Sequence, residues 1–127
     1  MDRSQDWLRQ AERDLEQARW SLEGGYPELA CFLSQQAAQK AVKALCQAKK
    51  VEARGHMITR LLEAVSVEVT AAPEVLSAAK ALDRHYIPAR YPNSFETGTP
   101  ADYYTSEDAQ DAIGHAQRII EFCQQHL

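Results

Sequence analysis

The sequence has 127 residues, of which 45% are hydrophobic and 25% are charged, and its formal net charge is -4. This length excludes a barrel enzyme or a two-domain dinucleotide-binding enzyme, and the composition is typical of one globular domain covering residues 1–127. The negative charge argues against a protein that coats nucleic acid non-specifically. No apolar stretch reaches the roughly 20 residues of a membrane span, and the first residues lack a signal-peptide core, so we expect a cytoplasmic protein with no membrane contact.

Helical spacing of apolar residues predicts two long helices in the first half of the chain. The first helix carries its apolar stripe at Trp7, Leu8, Ala11, Leu15, Ala18 and Leu22, and it ends at Gly24 and Gly25. Pro27 is typical of a first helical turn, and the second helix runs from there to about Lys50. Its small residues, called the alanine seam below, are Ala30, Ser34, Ala37, Ala41, Ala44 and Ala48. Because small side chains let another helix approach closely, the seam is either core or a dimer interface.

A polar ridge lies beside the alanine seam on the second helix. Gln36, Lys40 and Lys43 follow one another at the spacing of neighbours on one helix face. The two lysines are either solvated or offer donors to a phosphate. Asp14 on the first helix is a candidate partner for Lys40, and we expect an exposed pair that contributes only about 0.2–1 kcal/mol.

The second half of the chain predicts shorter helices and one long loop. A third helix follows Gly55, with apolar positions at Ile58, Leu61, Leu62, Val65 and Val69. A fourth helix begins at Pro73 and ends at Pro88, and its inner positions are Leu76, Ala79, Leu82 and Tyr86. The stretch from Pro88 to Thr105 is then a proline-rich loop of roughly 18 residues, and loops of that length in compact domains tend to be functional or disordered.

Thr105 is the expected N-cap of the last helix, because acidic residues follow it in the first turn. The apolar stripe of this helix consists of Ala109, Ala112, Ile113, Ala116, Ile120 and Cys123. No run of alternating polar and apolar residues indicates a strand. We therefore predict an all-α fold, an up-and-down helical bundle of about five helices that resembles a four-helix bundle, with a long Pro-rich loop before the last helix.

Familiar signatures of catalysis and metal binding are missing. The sequence has no phosphate-binding GxxxxGK[ST] loop, no GxGxxG, no HExxH and no GxSxG. The histidines show no pairing at helical spacing, so we expect no metal and no cofactor. The three cysteines lie far apart and are expected to be small core residues; they are Cys31, Cys46 and Cys123.

The segment from Leu82 to Phe95 combines cationic and aromatic side chains. Within eight residues it holds Arg84, His85, Tyr86, Arg90 and Tyr91. A guanidinium group binds phosphate through paired hydrogen bonds and an aromatic ring stacks on a base, so the segment suits a nucleotide or single-stranded RNA. The alternative is structural: the tyrosines close the open end of the bundle while the arginines pair with helix carboxylates.

Four segments of the sequence resemble, in order and spacing, the HEPN domain family. They are Ala11–Leu15 with Ala18, ACFLSQQAAQKAVKAL (Ala30–Leu45), GHMITRLL (Gly55–Leu62) and YIPARYPN (Tyr86–Asn93), and with the final stripe they cover nearly the whole chain. The second-helix string and the RYP segment are the specific parts. The resemblance implies a helical bundle that forms a homodimer, binds a nucleotide or RNA, and acts with a small nucleotidyltransferase as a toxin–antitoxin-like pair.

Other members of the family are metal-independent ribonucleases, and here the sequence departs from the pattern. Their motif places a histidine about five to seven positions after an arginine. No arginine of this sequence has a histidine at that distance, and His85 directly follows Arg84. Neighbouring residues on a helix point about 100° apart, so Arg84 and His85 of one chain do not converge on one phosphate. We expect no catalytic residue. A ribonuclease with a non-standard Arg/His site is the alternative, and a purely structural dimerisation module is a further one.

The leading hypothesis is a nucleotide- or RNA-binding module whose binding face combines residues from separate parts of the chain. The candidate binding residues are Lys40, Lys43, His56, Arg84, Tyr86, Arg90 and Tyr91. His56 is included because it directly follows Gly55 and is expected near the start of the third helix, where it either helps to hold an anion or caps and packs.

Overall fold

The computed structural model describes residues 1–127 and consists of helices joined by turns and loops. The helices are α1 (Ser4–Glu23), α2 (Pro27–Ala48), α3 (Ile58–Val65), α4 (Pro73–Asp83), α5 (Pro100–Tyr103) and α6 (Ser106–His126). A single 3-10 turn at Pro92–Ser94 precedes α5. The predicted all-α bundle is confirmed, with one four-residue helix more than expected because part of the long loop is helical.

Helix α2 is the central element of the bundle, since α1 and α6 both pack along it. Five of the six seam residues are completely buried; they are Ala30, Ser34, Ala37, Ala41 and Ala44. Their short side chains allow the close approach of these neighbouring helices. Of the two interpretations of the alanine seam, the structure therefore selects the core of the single chain.

One continuous hydrophobic core of 31 buried residues holds the helices together. Cys31, Cys46 and Cys123 belong to it, as predicted, and all three are free thiols. Burial raises the pKa of the Cys31 thiol to about 12 and that of Cys46 to about 11, so both remain protonated at neutral pH. None of the helices combines the length and hydropathy that crossing a membrane requires.

Two predicted helix boundaries are wrong. Helix α4 ends at Asp83 instead of continuing to Pro88, because Pro88 has no N–H to donate to the carbonyl of Arg84 and its ring would clash with that carbonyl. Residues 84–90 form consecutive turns instead. Helix α3 ends at Val65, one turn short of Val69, although Val69 is buried.

The inner face of α4 is shifted by one position from the predicted one. The residues that it buries are Val75, Ala78, Ala79, Leu82 and Asp83. Ala79 and Leu82 were predicted correctly, whereas Leu76 was predicted on the inner face but is exposed. The buried face of α4 differs from the predicted one because it includes Asp83, a polar residue that a search for apolar positions does not count.

The start of α6 is formed as predicted. The Thr105 hydroxyl accepts a hydrogen bond from the Asp108 amide at 3.1 Å, and the Asp108 carboxylate accepts one from the Thr105 amide at 2.9 Å. This reciprocal pair is a capping box, which satisfies amides that a helix leaves unpaired at its first turn. A second capping box, formed by Thr99 and Asp102, starts α5 and gives the long loop its own local structure.

Candidate functional site

Arg90 lies among three aromatic rings that come from α2 and from the turns after α4. Its guanidinium carbon is 4.4 Å from the centroid of the Phe32 ring, 4.5 Å from that of Tyr86 and 4.8 Å from that of Tyr91. At these distances a guanidinium is attracted to the ring faces. Because Phe32 belongs to α2 while the other residues follow α4, the arrangement exists only in the packed bundle.

The Arg90 guanidinium has no acidic partner. Its Nε donates a hydrogen bond to the backbone carbonyl of Tyr86 at 2.8 Å, which orients the group. Neither Arg90 nor Arg84 belongs to any ion pair of the chain. The structural alternative, in which both arginines pair with helix carboxylates, is therefore wrong on this point. The terminal nitrogens of Arg90, which are the ones that bind phosphate oxygens, form no hydrogen bond within the chain.

His56, which is exposed, contacts the same aromatic ring as Arg90, that of Tyr86. Its ring stacks on Tyr86, with the centroids 5.0 Å apart and the planes inclined by 17°. The Tyr86 ring is thus already occupied by protein side chains. Tyr91, which is 45% exposed, is the ring that has free surface. We call this group the Arg90 cluster, and it consists of Phe32, Gln39, His56, Tyr86, Arg90 and Tyr91.

Three glutamines of α2 fix the orientation of His56. Gln35 Nε2 donates to the backbone carbonyl of His56 at 2.8 Å. Gln39 Oε1 accepts hydrogen bonds from the Gln35 and Gln36 amides, so its Nε2 faces His56 Nδ1 at 3.3 Å. An amide nitrogen can only donate, so this contact requires the tautomer in which Nδ1 accepts and the imidazole proton lies on Nε2. His56 therefore has one N–H donor that a ligand can use.

Asp83 connects the two chain segments that carry His56 and Tyr86. Its buried carboxylate accepts hydrogen bonds from the Ile58 amide at 2.7 Å, the Thr59 amide at 3.1 Å and the Thr59 hydroxyl at 2.8 Å. The first amides of α3 are therefore occupied by a carboxylate of the protein. The expectation that His56 helps this helix start to hold an anion is wrong, because Asp83 already fills the position.

The lysines of the predicted site lie outside the Arg90 cluster. Lys40 forms an ion pair with Asp14, as predicted, but the Asp14 side chain is only 6% exposed, so the pair is not the solvated one that we expected. Lys43 places its ammonium 5.8 Å from the centroid of the Trp7 ring. It forms no ion pair.

Arg84 and His85 also lie outside the cluster. Arg84 is exposed, whereas the half-buried His85 has its Nδ1 2.9 Å from the Tyr104 hydroxyl. Burial lowers the pKa of His85, although the nearby Asp108 carboxylate opposes the shift. The imidazole is therefore mainly neutral at pH 7, and it holds the turns after α4 against the segment that precedes α6.

The sequence did not reveal three members of the site region. Phe32 and Gln39 were hidden because an apolar or amide residue within a long helix is usually core or solvated surface. Phe32 and Gln39 are seven positions apart with Gln36 between them, and this spacing was the signal that the three side chains share one face of α2. Asp83 gave no signal, because its partners lie 24 and 25 residues earlier.

Comparison with known proteins assigns this fold to a family. The HEPN domain model matches residues 4–126. The chain belongs to the HEPN family. The resemblance predicted from the four sequence segments is thus confirmed, and so is the helical bundle that it implied.

Solved structures of HEPN proteins and of a related thermophile protein superpose closely on this one. TT1696 from Thermus thermophilus is 41% identical with a TM-score of 0.96, and both chains are covered completely. The archaeal HEPN homologue ST0689 is 47% identical with a TM-score of 0.84, over 98% of each chain. A HEPN domain protein from Thermotoga maritima is 32% identical with a TM-score of 0.76, over 94% of this chain and 95% of the other. A further relative, from Methanocaldococcus jannaschii, is named "Putative toxin MJ1304" and is 26% identical over 95% of this chain and 86% of its own length.

Proposed function

We propose that this HEPN protein binds a nucleotide or the end of an RNA through the Arg90 cluster. The observation that carries the proposal is the Arg90 guanidinium, which is held by three aromatic rings and one carbonyl but has no carboxylate to neutralise it. A phosphate would supply the missing negative charge. The His56 Nε2–H lies in the same cluster and offers a second donor.

Tyr91 is the residue that we assign to the base. Tyr91 is 45% exposed and its ring contacts Arg90, so a base stacked on the ring would lie next to the phosphate-binding group. Tyr86 was also a candidate for stacking, but its ring already contacts His56 and Arg90. We therefore assign it a supporting role.

Titration calorimetry with nucleoside triphosphates tests this function. Loss of a charge-assisted hydrogen bond costs about 1.5–3 kcal/mol, so we expect Arg90→Gln to raise Kd by about 10- to 150-fold. The matched control is Arg84→Gln, which removes the same charge from an exposed side chain outside the cluster. It should leave Kd within about twofold. Absence of heat at millimolar nucleotide for the unmodified protein, or equal effects of the two variants, would refute the proposal.

A metal-independent ribonuclease remains the second candidate because the Arg90 cluster contains both an arginine and a histidine. Arg90 and His56 both contact the Tyr86 ring, whereas Arg84 and His85 diverge. Metal-free cleavage needs a cation for the charge on phosphorus and a group that moves a proton. Cleavage of unstructured RNA in excess chelator that both Arg90→Gln and His56→Gln abolish would favour this candidate over simple binding.

The partner assignments belong to the same proposal. The M. jannaschii relative named "Putative toxin MJ1304" supports a toxin-like role. In that role we propose that this chain acts with a small nucleotidyltransferase. We also propose a homodimer, for which the exposed apolar side chains of Met57 and Ile87 beside the Arg90 cluster offer a surface. The gene adjacent to the one that encodes this chain checks the first assignment, and sizing chromatography checks the second.

A further inference from the structure

One face of α2 continues from the Arg90 cluster towards a second cationic and aromatic region. Phe32, Gln36, Gln39 and Lys43 follow one another at intervals of four, three and four positions. At about 100° per residue these four positions fall within roughly 60° of one another around the helix. Phe32 contacts Arg90 and Gln39 contacts His56, so the same face that forms the cluster leads directly to Lys43.

Lys43 lies at a cleft that the proposed function does not use. The cleft has a volume of about 410 Å³, and Trp7, Lys43, Gln47 and Lys50 are among the residues that line it. Trp7 is only partly buried, and its ring lies under the Lys43 ammonium at 5.8 Å. The cleft thus repeats the combination found around Arg90, a cation held against an aromatic ring.

Two cations of this cleft belong to no ion pair, although the charge of Lys50 acts, after the hydrogen bonds from Ser4, to lower the pKa of the nearby Asp2 carboxyl. Lys43 and Lys50 form no ion pair, whereas Glu52, the carboxylate that lines the same cleft, is bound by Arg54 at 2.6 and 3.0 Å. Lys50 also has a φ of 58°, a left-handed conformation that favours glycine or asparagine at the end of a helix. A lysine in that position is accommodated at a conformational cost and places its charge beside the cleft.

We propose that the cleft of Trp7, Lys43 and Lys50 is a second anchoring site for the ligand of the Arg90 cluster, which makes that ligand a single-stranded oligonucleotide rather than a mononucleotide. The inference rests on the proposed function, since the Arg90 cluster holds one end of the strand. In the cleft, Lys43 and Lys50 bind backbone phosphates and the exposed part of Trp7 contacts a base. Cationic grooves with interspersed aromatic rings are the usual surface for single strands.

The length of α2 sets the length of strand that can use both sites. From Phe32 to the end of the helix at Ala48 the axis extends about 24 Å at 1.5 Å per residue. Phosphates of a stacked strand are about 3.4 Å apart along the axis, so about seven nucleotide steps span this distance. An octanucleotide therefore reaches both sites, whereas a dinucleotide reaches only one.

Fluorescence anisotropy with labelled oligouridylates of two and eight nucleotides tests the inference. The variant is Lys43→Gln with Lys50→Gly, in which the glycine suits the left-handed backbone and the fold is preserved. We expect the Kd of the octanucleotide to rise about tenfold and that of the dinucleotide to stay within about twofold. The slope of log Kd against log salt for the octanucleotide should fall by about 1.4, or about 0.7 for each lost phosphate contact.

The matched control is Lys80→Gln with Arg118→Gln, which removes two exposed cations from α4 and α6 and makes the same change in net charge. Equal weakening by control and test variants, equal loss for both oligonucleotides, or no binding of the octanucleotide by the unmodified protein would overturn the second site. The proposed function is judged separately by Arg90→Gln with the dinucleotide. If that variant binds the dinucleotide unchanged while the lysine variant still loses the octanucleotide, the proposed function fails and the cleft stands as a binding site of its own.

Discussion

Burial decides what each charged residue contributes to this molecule. Asp14 and Asp6 lie two helical turns apart on α1, and each has a basic partner. The Asp6 side chain is 51% exposed, so solvent screens its interaction with Arg3. The Asp14 side chain is 6% exposed and is bound by both Lys40 and the Gln10 amide. Asp6 is therefore a solvated surface residue, whereas Asp14 attaches α1 to α2.

Replacing each aspartate by alanine measures this difference. Asp14→Ala leaves the partly buried Lys40 ammonium without its carboxylate, so we expect the free energy of unfolding to fall by about 1.5–3 kcal/mol. Asp6→Ala, the control on the same helix, should change it by less than about 0.5 kcal/mol. Urea denaturation of the two variants beside the unmodified protein gives both values. A similar decrease in the free energy of unfolding for Asp14→Ala and Asp6→Ala would show that burial of Asp14 does not strengthen its ion pair with Lys40.

Helix α3 begins where a residue of another helix caps it. Its own flanking residue, Met57, supplies no capping side chain, and Asp83 at the end of α4 accepts the hydrogen bonds of the first two amides instead. The eight residues of α3 are too few for a stable isolated helix, so this helix depends on its neighbours. The cap also fixes the segment that carries His56 next to the turns that carry Tyr86.

Asp83→Ala should therefore affect both stability and the site. Loss of three hydrogen bonds to one buried carboxylate is expected to lower the free energy of unfolding by about 1–3 kcal/mol. The upfield shift that the Tyr86 ring gives to the His56 ring protons should diminish, which nuclear magnetic resonance at a temperature well below unfolding can detect. Thr59→Val removes only the hydroxyl bond and serves as the control. An Asp83→Ala protein with unchanged His56 proton shifts would contradict the positioning of His56 by this cap.

At the scale of the whole molecule, the close contacts of α2 hold the bundle together. The five buried residues of the alanine seam face the neighbouring helices over several turns and have no solvent-accessible surface. Packing of this kind is dense, so a single added side chain forces the helices apart. The seam that the sequence left open as a dimer interface is for this reason a determinant of monomer stability.

Ala41→Leu should destabilise the protein without changing its oligomeric state. Overpacking a close helix contact costs about 1–3 kcal/mol, which thermal unfolding followed by circular dichroism will register. Ala48→Leu is the control, because Ala48 lies at the end of α2 and is only partly buried. A change in elution volume on sizing chromatography for Ala41→Leu, with an unaltered melting temperature, would return the seam to the role of an interface.

The sequence predicted those features that depend on neighbouring residues. Apolar spacing located α1, α2 and α6, and the Thr105 capping box is formed by residues three positions apart. The four segments that resemble the HEPN family in their order and spacing identified the fold, because such spacings repeat among its members. Propagation of a helix and its caps involves interactions within one or two turns, and a local pattern is sufficient to predict them.

Only the packed bundle decided which chemical groups meet. Arg90 and Arg84 have the same side chain and lie six positions apart, yet one lies among three rings and the other in solvent. Asp83 caps a helix that begins 25 residues earlier, and His56 stacks on a tyrosine 30 positions away. Contacts over such separations depend on how helices turn and pack against one another. The segment from Leu82 to Phe95 predicted a cationic and aromatic surface, whereas tertiary packing selected the residues that form it.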